Sequence, residues 1–361
     1  HQPGVLSLKR WGLLDKVAAS NCPPMYAYRN DFGPLVLEGS APPIEDIDVA
    51  YCPRRTVLDN ILVDAAVAAG AELRQGFAVQ ELTFDNAAVS GIKGRERDGR
   101  AIVSEQARVV IGADGVHSLV ARAVKPEEYN VRPALGCGYY SYWSGVPIDR
   151  PYLFFRDKMW IAFPTNDGLT CVGMEWPNAM FHEFRSDIEG NFYRSMETAP
   201  NFLEMMRAGK REERFSGTSD LANFYRRPYG PGWALVGDAG YHKDPITGQG
   251  ITDAFRDAEL LADALDAGWS EREPLEQALA AYEQKRNQAT MPMYEFTMQQ
   301  LTFEPPPPEM MQLIGALAGN QEDTDRFFGL VAGTVPIPEF FSEENVGRIM
   351  AKAAARGPAP V

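Results

Sequence analysis

The sequence predicts a mixed α/β (α+β) chain: an open sheet flanked by helices, interrupted by an antiparallel-sheet insertion and closed by a helical tail. Three observations carry that expectation. Apolar runs at 109–111 and 233–236 have the length of buried strands, and each runs into a glycine–acid turn, Gly112-Ala113-Asp114 and Gly237-Asp238. Between them, 132–227 is rich in aromatics and holds alternating runs at 159–163 and 169–175, read as antiparallel strands joined by an Asn166-Asp167-Gly168 turn. From 250 onward, apolar residues recur mainly at helical spacing.

Bulk properties narrow the function. A chain of 361 residues is long enough for two domains sharing one core, and 45% apolar with 23% charged residues is ordinary globular composition. A net charge of −14 argues against nucleic-acid or anionic-membrane partners, which call for a basic surface. No apolar run approaches a membrane span, and no signal peptide opens the sequence. Cys22, Cys52, Cys137 and Cys171 are scattered, without C-x-x-C or paired histidine spacing. They are read as reduced and structural, with no metal site, in a cytoplasmic protein.

Taken in order, Val5, Leu6, Leu8, Trp11, Leu13 and Leu14 suggest one amphipathic helix immediately after His1-Gln2-Pro3-Gly4. So abrupt a start suggests a chain that begins mid-domain. Weak periodicity with frequent Pro and Gly over 18–48 predicts irregular structure with short strands. Arg54-Arg55-Thr56 precedes Leu58, Ile61, Leu62, Ala65 and Ala69 at helical spacing, with Thr56 and Asp59 as a helix-start box and Gly70 as the stop. Two arginines beside a helix start suit a pyrophosphate or another anion; a solvated charge pair is the plainer alternative. Strands are expected at 77–84, 89–95 and 101–110, with turns at Asn86-Ala87 and Asp98-Gly99, ending in a buried strand at 109–111.

That strand enters Gly112-Ala-Asp114-Gly115-Val-His-Ser118. The later run 233–236 enters Gly237-Asp238, a loop, and then Gly248-Gln249-Gly250. A helix follows with Ile251, Ala254, Phe255, Ala258, Leu261, Ala262 and Leu265 as its expected buried face. A carboxylate at a strand end can accept from ribityl or ribose hydroxyls, and free N–H groups at a helix start favour negative charge. A plain strand–loop–helix connection is the alternative for either segment alone. Two such turns at strand ends are more specific, because open α/β sheets bind ligands outside the carboxyl ends of their strands. Helices at 275–291, 309–318 and 342–355 complete the chain around four prolines, 305–308.

These residues resemble the FAD-dependent aromatic hydroxylases of the p-hydroxybenzoate hydroxylase type and their wider flavoprotein superfamily. Arg54-Arg55-x-x-Leu58 resembles the family's arginine-bearing helix start, and Gly112 to Ser118 with Arg122 is similar to its Asp-Gly motif. Gly237-Asp238-Ala239 with Asp244-Pro245 and Gly248-Gln249-Gly250 resembles the motif that binds the FAD ribityl chain and presents N–H groups to the flavin. The resemblance implies an incomplete Rossmann-like FAD-binding domain (1–130 and 229–290), an inserted substrate-binding antiparallel sheet domain (131–228) and a C-terminal helical region (291–361). It implies FAD contacts from Arg54, Arg55, Asp114, Gly115, Gly237, Asp238, Pro245, Gly248, Gln249, Gly250 and Ile251. Two departures stand out. The G-x-G-x-x-G unit is not in the sequence, so that roughly 40–50 residues are expected before His1. The family usually has an arginine three residues after the serine of its Asp-Gly turn; here Ala121 stands there and Arg122 follows.

The implied activity is an NAD(P)H- and oxygen-using monooxygenase. It would hydroxylate an aromatic or polyketide-like molecule through a flavin C4a-(hydro)peroxide, with NADPH or NADH as reductant. Tyr139, Tyr142, Trp160, Phe163 and Met174 are candidates for an apolar substrate pocket. No catalytic base is assigned: Tyr139, Tyr142 and His242 are candidates, each better explained by a structural role. Alternatives are a flavin-dependent reductase of the geranylgeranyl-reductase kind, suggested by Trp160-Ile-Ala-Phe163-Pro164, a halogenase as a weaker third, and a flavin-less binding protein. Either a monomer or a homodimer fits.

Overall fold

The structure is a computed structural model that describes residues 1–356 except Asp98, Arg100, Arg156, Asp157 and Pro305. It comprises two compact units, 1–62 with 134–221 and 295–361, and 63–133 with 222–294. The predicted mixture of helices and sheets is found.

The first unit is built on an eight-stranded sheet. Its order is Lys210–Arg211, Gly136–Ser144, Leu169–Pro177, Met159–Pro164, Tyr152–Phe155, Tyr28–Asp31 and Val36–Gly39, with Ser216–Thr218 also paired to Gly136–Ser144. All pairs are antiparallel except Tyr28–Asp31 with Tyr152–Phe155. Alternation along the strands sorts the aromatics by face. Tyr139, Trp143, Trp160, Val172, Met174 and Trp176 form one core with Phe184, Phe192, Phe202 and Met206 from the helices Phe181–Ser186, Ile188–Ser195 and Pro200–Ala208. Tyr140, Tyr142, Ile161, Phe163 and Cys171 occupy the alternate positions. Asp167 and Gly168 both take left-handed backbone angles in the Asn166–Gly168 turn, as the sequence predicted for this connection.

In the second unit, Trp233–Leu235 runs parallel to Val110–Gly112, with Trp233 opposite Val110 and Leu235 opposite Gly112. The antiparallel meander Phe77–Asp85, Ala88–Glu96 and Val103–Gln106 matches the first two expected strands, and its third is shorter than the expected 101–110; Asp98, of the expected second turn, lies outside the described residues. A third small sheet joins Tyr241–His242, Asn223–Arg226 and Glu128–Arg132. Ala234 packs on Leu261, Leu265, Leu279 and Tyr282, while Leu235 packs the other way on Leu82, Val89 and Val120.

Local expectations fail at four places. The N-terminal helix is two, Gln2–Arg10 and Leu14–Ala18, because Gly12 adopts φ +70° and reverses the chain. The run at 109–111 is not fully buried: Val110–Gly112 is an edge strand of its sheet among the described residues, and Ile111 is exposed. Helix Leu275–Gln300 continues through Pro292, past the expected stop at 291. The helical tail contains Pro308–Leu317 and Glu343–Arg356 near the expected places, and also Gln321–Ala332 and Ile337–Phe340, which the sequence reading missed. These helices form a core with Tyr28 and Leu37, where the rings of Tyr28 and Phe328 stack at 5.8 Å.

Candidate functional site

The parallel pairing of Trp233–Leu235 with Val110–Gly112 places both acidic turns at the carboxyl ends of adjacent strands, joined by the Val236 N–H donating to the Gly112 carbonyl at 3.0 Å. The turns use their acids differently. Asp114 Oδ2 accepts the N–H groups of Leu119 at 2.7 Å and Val120 at 3.4 Å, so this carboxylate caps the helix Leu119–Val124 beside the N-cap Ser118. Gly115 has φ +77° with open space where a Cβ would lie. Arg122 folds back onto the carbonyl of His117.

Asp238 is exposed, and no hydrogen bond or ion pair to it is found among the described residues. Gly237, at φ +58°, makes the turn, and a Cβ there would meet the Ala254 methyl at 3.4 Å. The following loop is built from its own polar groups. Asn223 Oδ1 accepts the Asp244 N–H at 2.7 Å, and Asp244 Oδ1 accepts the Ile246 N–H at 3.0 Å. Pro245 starts the short turn Pro245–Thr247, and Gly248 at φ +65° ends it. Pro245, Gly248 and Gly250 are exposed, whereas Gln249 is buried and its amide donates to the Thr247 carbonyl at 3.1 Å.

Helix Gly250–Trp269 starts with no side-chain cap from Gln249. A Cβ on Gly250 would meet nothing within 4 Å, and Ile251 is 39% exposed. An exposed carboxylate with no partner among the described residues, a helix start whose N-cap residue makes no side-chain cap, and space at a glycine fit a polar cofactor carrying hydroxyl and anionic groups.

Sequence reasoning missed what lies beneath this loop. The buried face of Gly250–Trp269 is Asp253, Phe255, Asp257, Leu261, Ala264 and Leu265, while Ile251, Ala258 and Ala262 are exposed. The expected apolar stripe is therefore rotated. Asp253 pairs with the buried Lys243 and with Arg256 at 2.9 Å, and Arg256 reaches Asp257 at 3.4 Å. Burial pushes the fully buried Asp257 carboxyl up to about 6, against the pull of Arg256 and Arg286. Fully buried Arg286 donates to the carbonyls of Gly240 at 3.1 Å and Arg226 at 3.0 Å and to the Tyr129 hydroxyl at 2.9 Å. Two aspartates four residues apart in an apolar helix were the only sequence signal of this network. His242 is half-buried and its Nδ1 meets the Ala222 carbonyl.

In the other unit, Arg54 pairs with Glu213, its guanidinium lies 4.5 Å from the Tyr142 ring centroid, and its backbone N–H donates to Asn166 Oδ1 at 2.8 Å. Arg55 forms a fork with Asp59 at 2.8 and 3.1 Å in solvent, so Asp59 serves Arg55 in the helix Arg55–Ala68. Of the pocket candidates, Tyr142 and Phe163 share the face opposite the helix-covered core, and Tyr139, Trp160 and Met174 point into that core. Burial pushes the thiols of Cys22, Cys52 and Cys171 up to about 12, which keeps them protonated and inert. Among the described residues no group of His, Cys, Asp and Glu could hold a metal, and no helix is long and apolar enough to cross a membrane.

Residues 8–297 match a protein-family model described as an FAD binding domain. The digeranylgeranylglycerophospholipid reductase 2 of Methanococcoides burtonii is 29% identical over 239 residues, 61% of this chain and 53% of that protein. The chain thus spans about half the length of the curated relatives it matches. It is similar in structure to a myxobacterial chondrochloren halogenase described as a new variant of FAD-dependent halogenases (TM-score 0.77, 18% identity, covering 98% of this chain and 86% of that one). It is also similar to a probable FAD-dependent monooxygenase of Pseudomonas aeruginosa (TM-score 0.68, 20% identity, 92% and 88%). At these identities the likeness shows a shared fold.

Proposed function

The chain belongs to the FAD binding domain family, and from that premise we propose that it is the body of an FAD-dependent oxidoreductase, a monooxygenase using NADPH or NADH and oxygen on an aromatic or polyketide-like molecule. The observation that carries the reading is the open cradle at the strand end: left-handed Gly237, exposed Asp238 and the uncapped start of Gly250–Trp269. FAD, when bound, supplies the electron transfer and oxygen activation. Asp238 would accept from the cofactor's hydroxyl chain, and the N–H groups of Gly250, Ile251 and Thr252 would offer positive charge to its anionic part. Pro245 and Gly248 shape the exposed rim. Asp114 orders the adjacent turn by capping its helix, with Gly115 leaving room for a ligand. In the first unit, Arg54 and Arg55, now paired with Glu213 and Asp59, would be free for an anion only by exchanging those partners. Within the first unit, Tyr142 and Phe163, on the face opposite the helical core, would offer an apolar wall to a substrate.

A second reading is a flavin-dependent reductase, favoured by the 29% identity to a digeranylgeranylglycerophospholipid reductase. Turnover of the full-length protein with FAD, NAD(P)H and labelled oxygen separates the two. A monooxygenase places the label in its product and oxidises NAD(P)H faster when substrate is added; a reductase incorporates none.

A further inference from the structure

Asp253 lies in the first turn of helix Gly250–Trp269, where an acid ordinarily offsets the positive helix end or folds back onto its N–H groups. Here both oxygens are diverted. Oδ1 takes Arg256 at 2.9 Å, and Oδ2 takes the ammonium of Lys243. The Lys243 side chain is only 4% exposed, and lysines this deep are almost always paired. It comes from the strand end preceding the loop, so the pair ties the loop 243–249 to the helix that the loop introduces. The other charges around the pair are Arg256, which also meets Asp257, and Arg286, which acts on Asp257. The ring of Tyr241 lies 5.0 Å from the Lys243 ammonium. Gln249, the N-cap residue, makes no side-chain cap, and a Cβ on Gly250 would meet nothing within 4 Å.

We propose that Lys243 is a positioning residue for the flavin site and acts through Asp253. It cancels the first-turn carboxylate and fixes the loop, so the helix start remains positive toward an anionic part of the cofactor. The inference rests on the FAD reading above and goes beyond it in assigning a role to a buried cation that need not touch the cofactor.

The test uses the full-length protein stripped of flavin, with FAD affinity followed by flavin fluorescence and thermal unfolding measured in parallel. Lys243→Met leaves the Asp253 charge to Arg256 alone and should raise the FAD dissociation constant about tenfold, more at low ionic strength. Asp253→Asn breaks the same ion pair and should also lower the unfolding temperature, yet keep affinity within about threefold of native because the negative charge is gone. The double variant should recover affinity to the same degree. Loss of affinity in step with loss of stability across all three variants overturns the proposal, as does native affinity in Lys243→Met. A native protein that takes up no FAD overturns the cofactor reading and this inference with it; native uptake with the wrong variant order overturns the inference alone.

Discussion

The guanidinium of Arg54 lies 4.5 Å from the ring centroid of Tyr142 while it pairs with Glu213. Burial, chiefly, raises the Tyr142 phenol above its ordinary range, with Arg54 pulling it down. Removing the cation should therefore raise it further. Ultraviolet titration of Arg54→Met against Arg54→Met/Tyr142→Phe isolates this one phenol, and a downward shift would refute the arrangement.

Gly237 and Gly250 should respond oppositely to the same substitution. Gly237→Ala forces a side chain into φ +58° and should cost about 1–2 kcal/mol of stability. Gly250→Ala meets open space inside a helix, so stability should hold or rise by up to about 1 kcal/mol. Its methyl would nonetheless intrude on the cofactor cradle and weaken FAD binding. Denaturant unfolding and flavin titration of the two variants check both halves.

Asp257 sets a pH dependence. Its folded carboxyl is raised to about 6, so the native state binds more protons than the unfolded chain between about pH 4 and 6. This group's contribution to stability is full below the unfolded value and is lost as pH rises through about 6. Asp257→Asn should flatten that slope, by about 2–3 kcal/mol across the window. The comparison is unfolding free energy against pH for both proteins; an unchanged slope would exclude the assignment.

Arg286→Met leaves the Gly240 and Arg226 carbonyls and the Tyr129 hydroxyl without this donor, and should cost on the order of 3 kcal/mol. Urea unfolding measures it, and a loss below experimental error would mean that the network relaxes around the gap.

What the sequence made legible follows the reach of its patterns. The strand Trp233–Leu235, its Gly237-Asp238 turn and the helix after Gly250 were readable because period and punctuation agree locally. The rotation of that helix was not, because it depends on Lys243, ten residues from its partner Asp253, and on Arg256 beside Asp257, which together make buried acids acceptable in the core. The helix through Pro292 shows tertiary packing overriding a local breaker: Tyr294, just beyond it, is fully buried and donates to the Asn130 carbonyl at 2.6 Å. The pocket candidates were chosen by residue type, and only strand register could separate Tyr142 and Phe163 from Tyr139, Trp160 and Met174.

The most direct test of the central claim is flavin content of the full-length protein beside its Asp238→Ala variant. Asp238 is exposed and has no hydrogen bond or ion pair among the described residues, so the variant should fold with native stability. The account predicts a yellow native protein with stoichiometric FAD and a folded variant that has lost most of it. A colourless native protein, or a variant that retains full flavin, would contradict it.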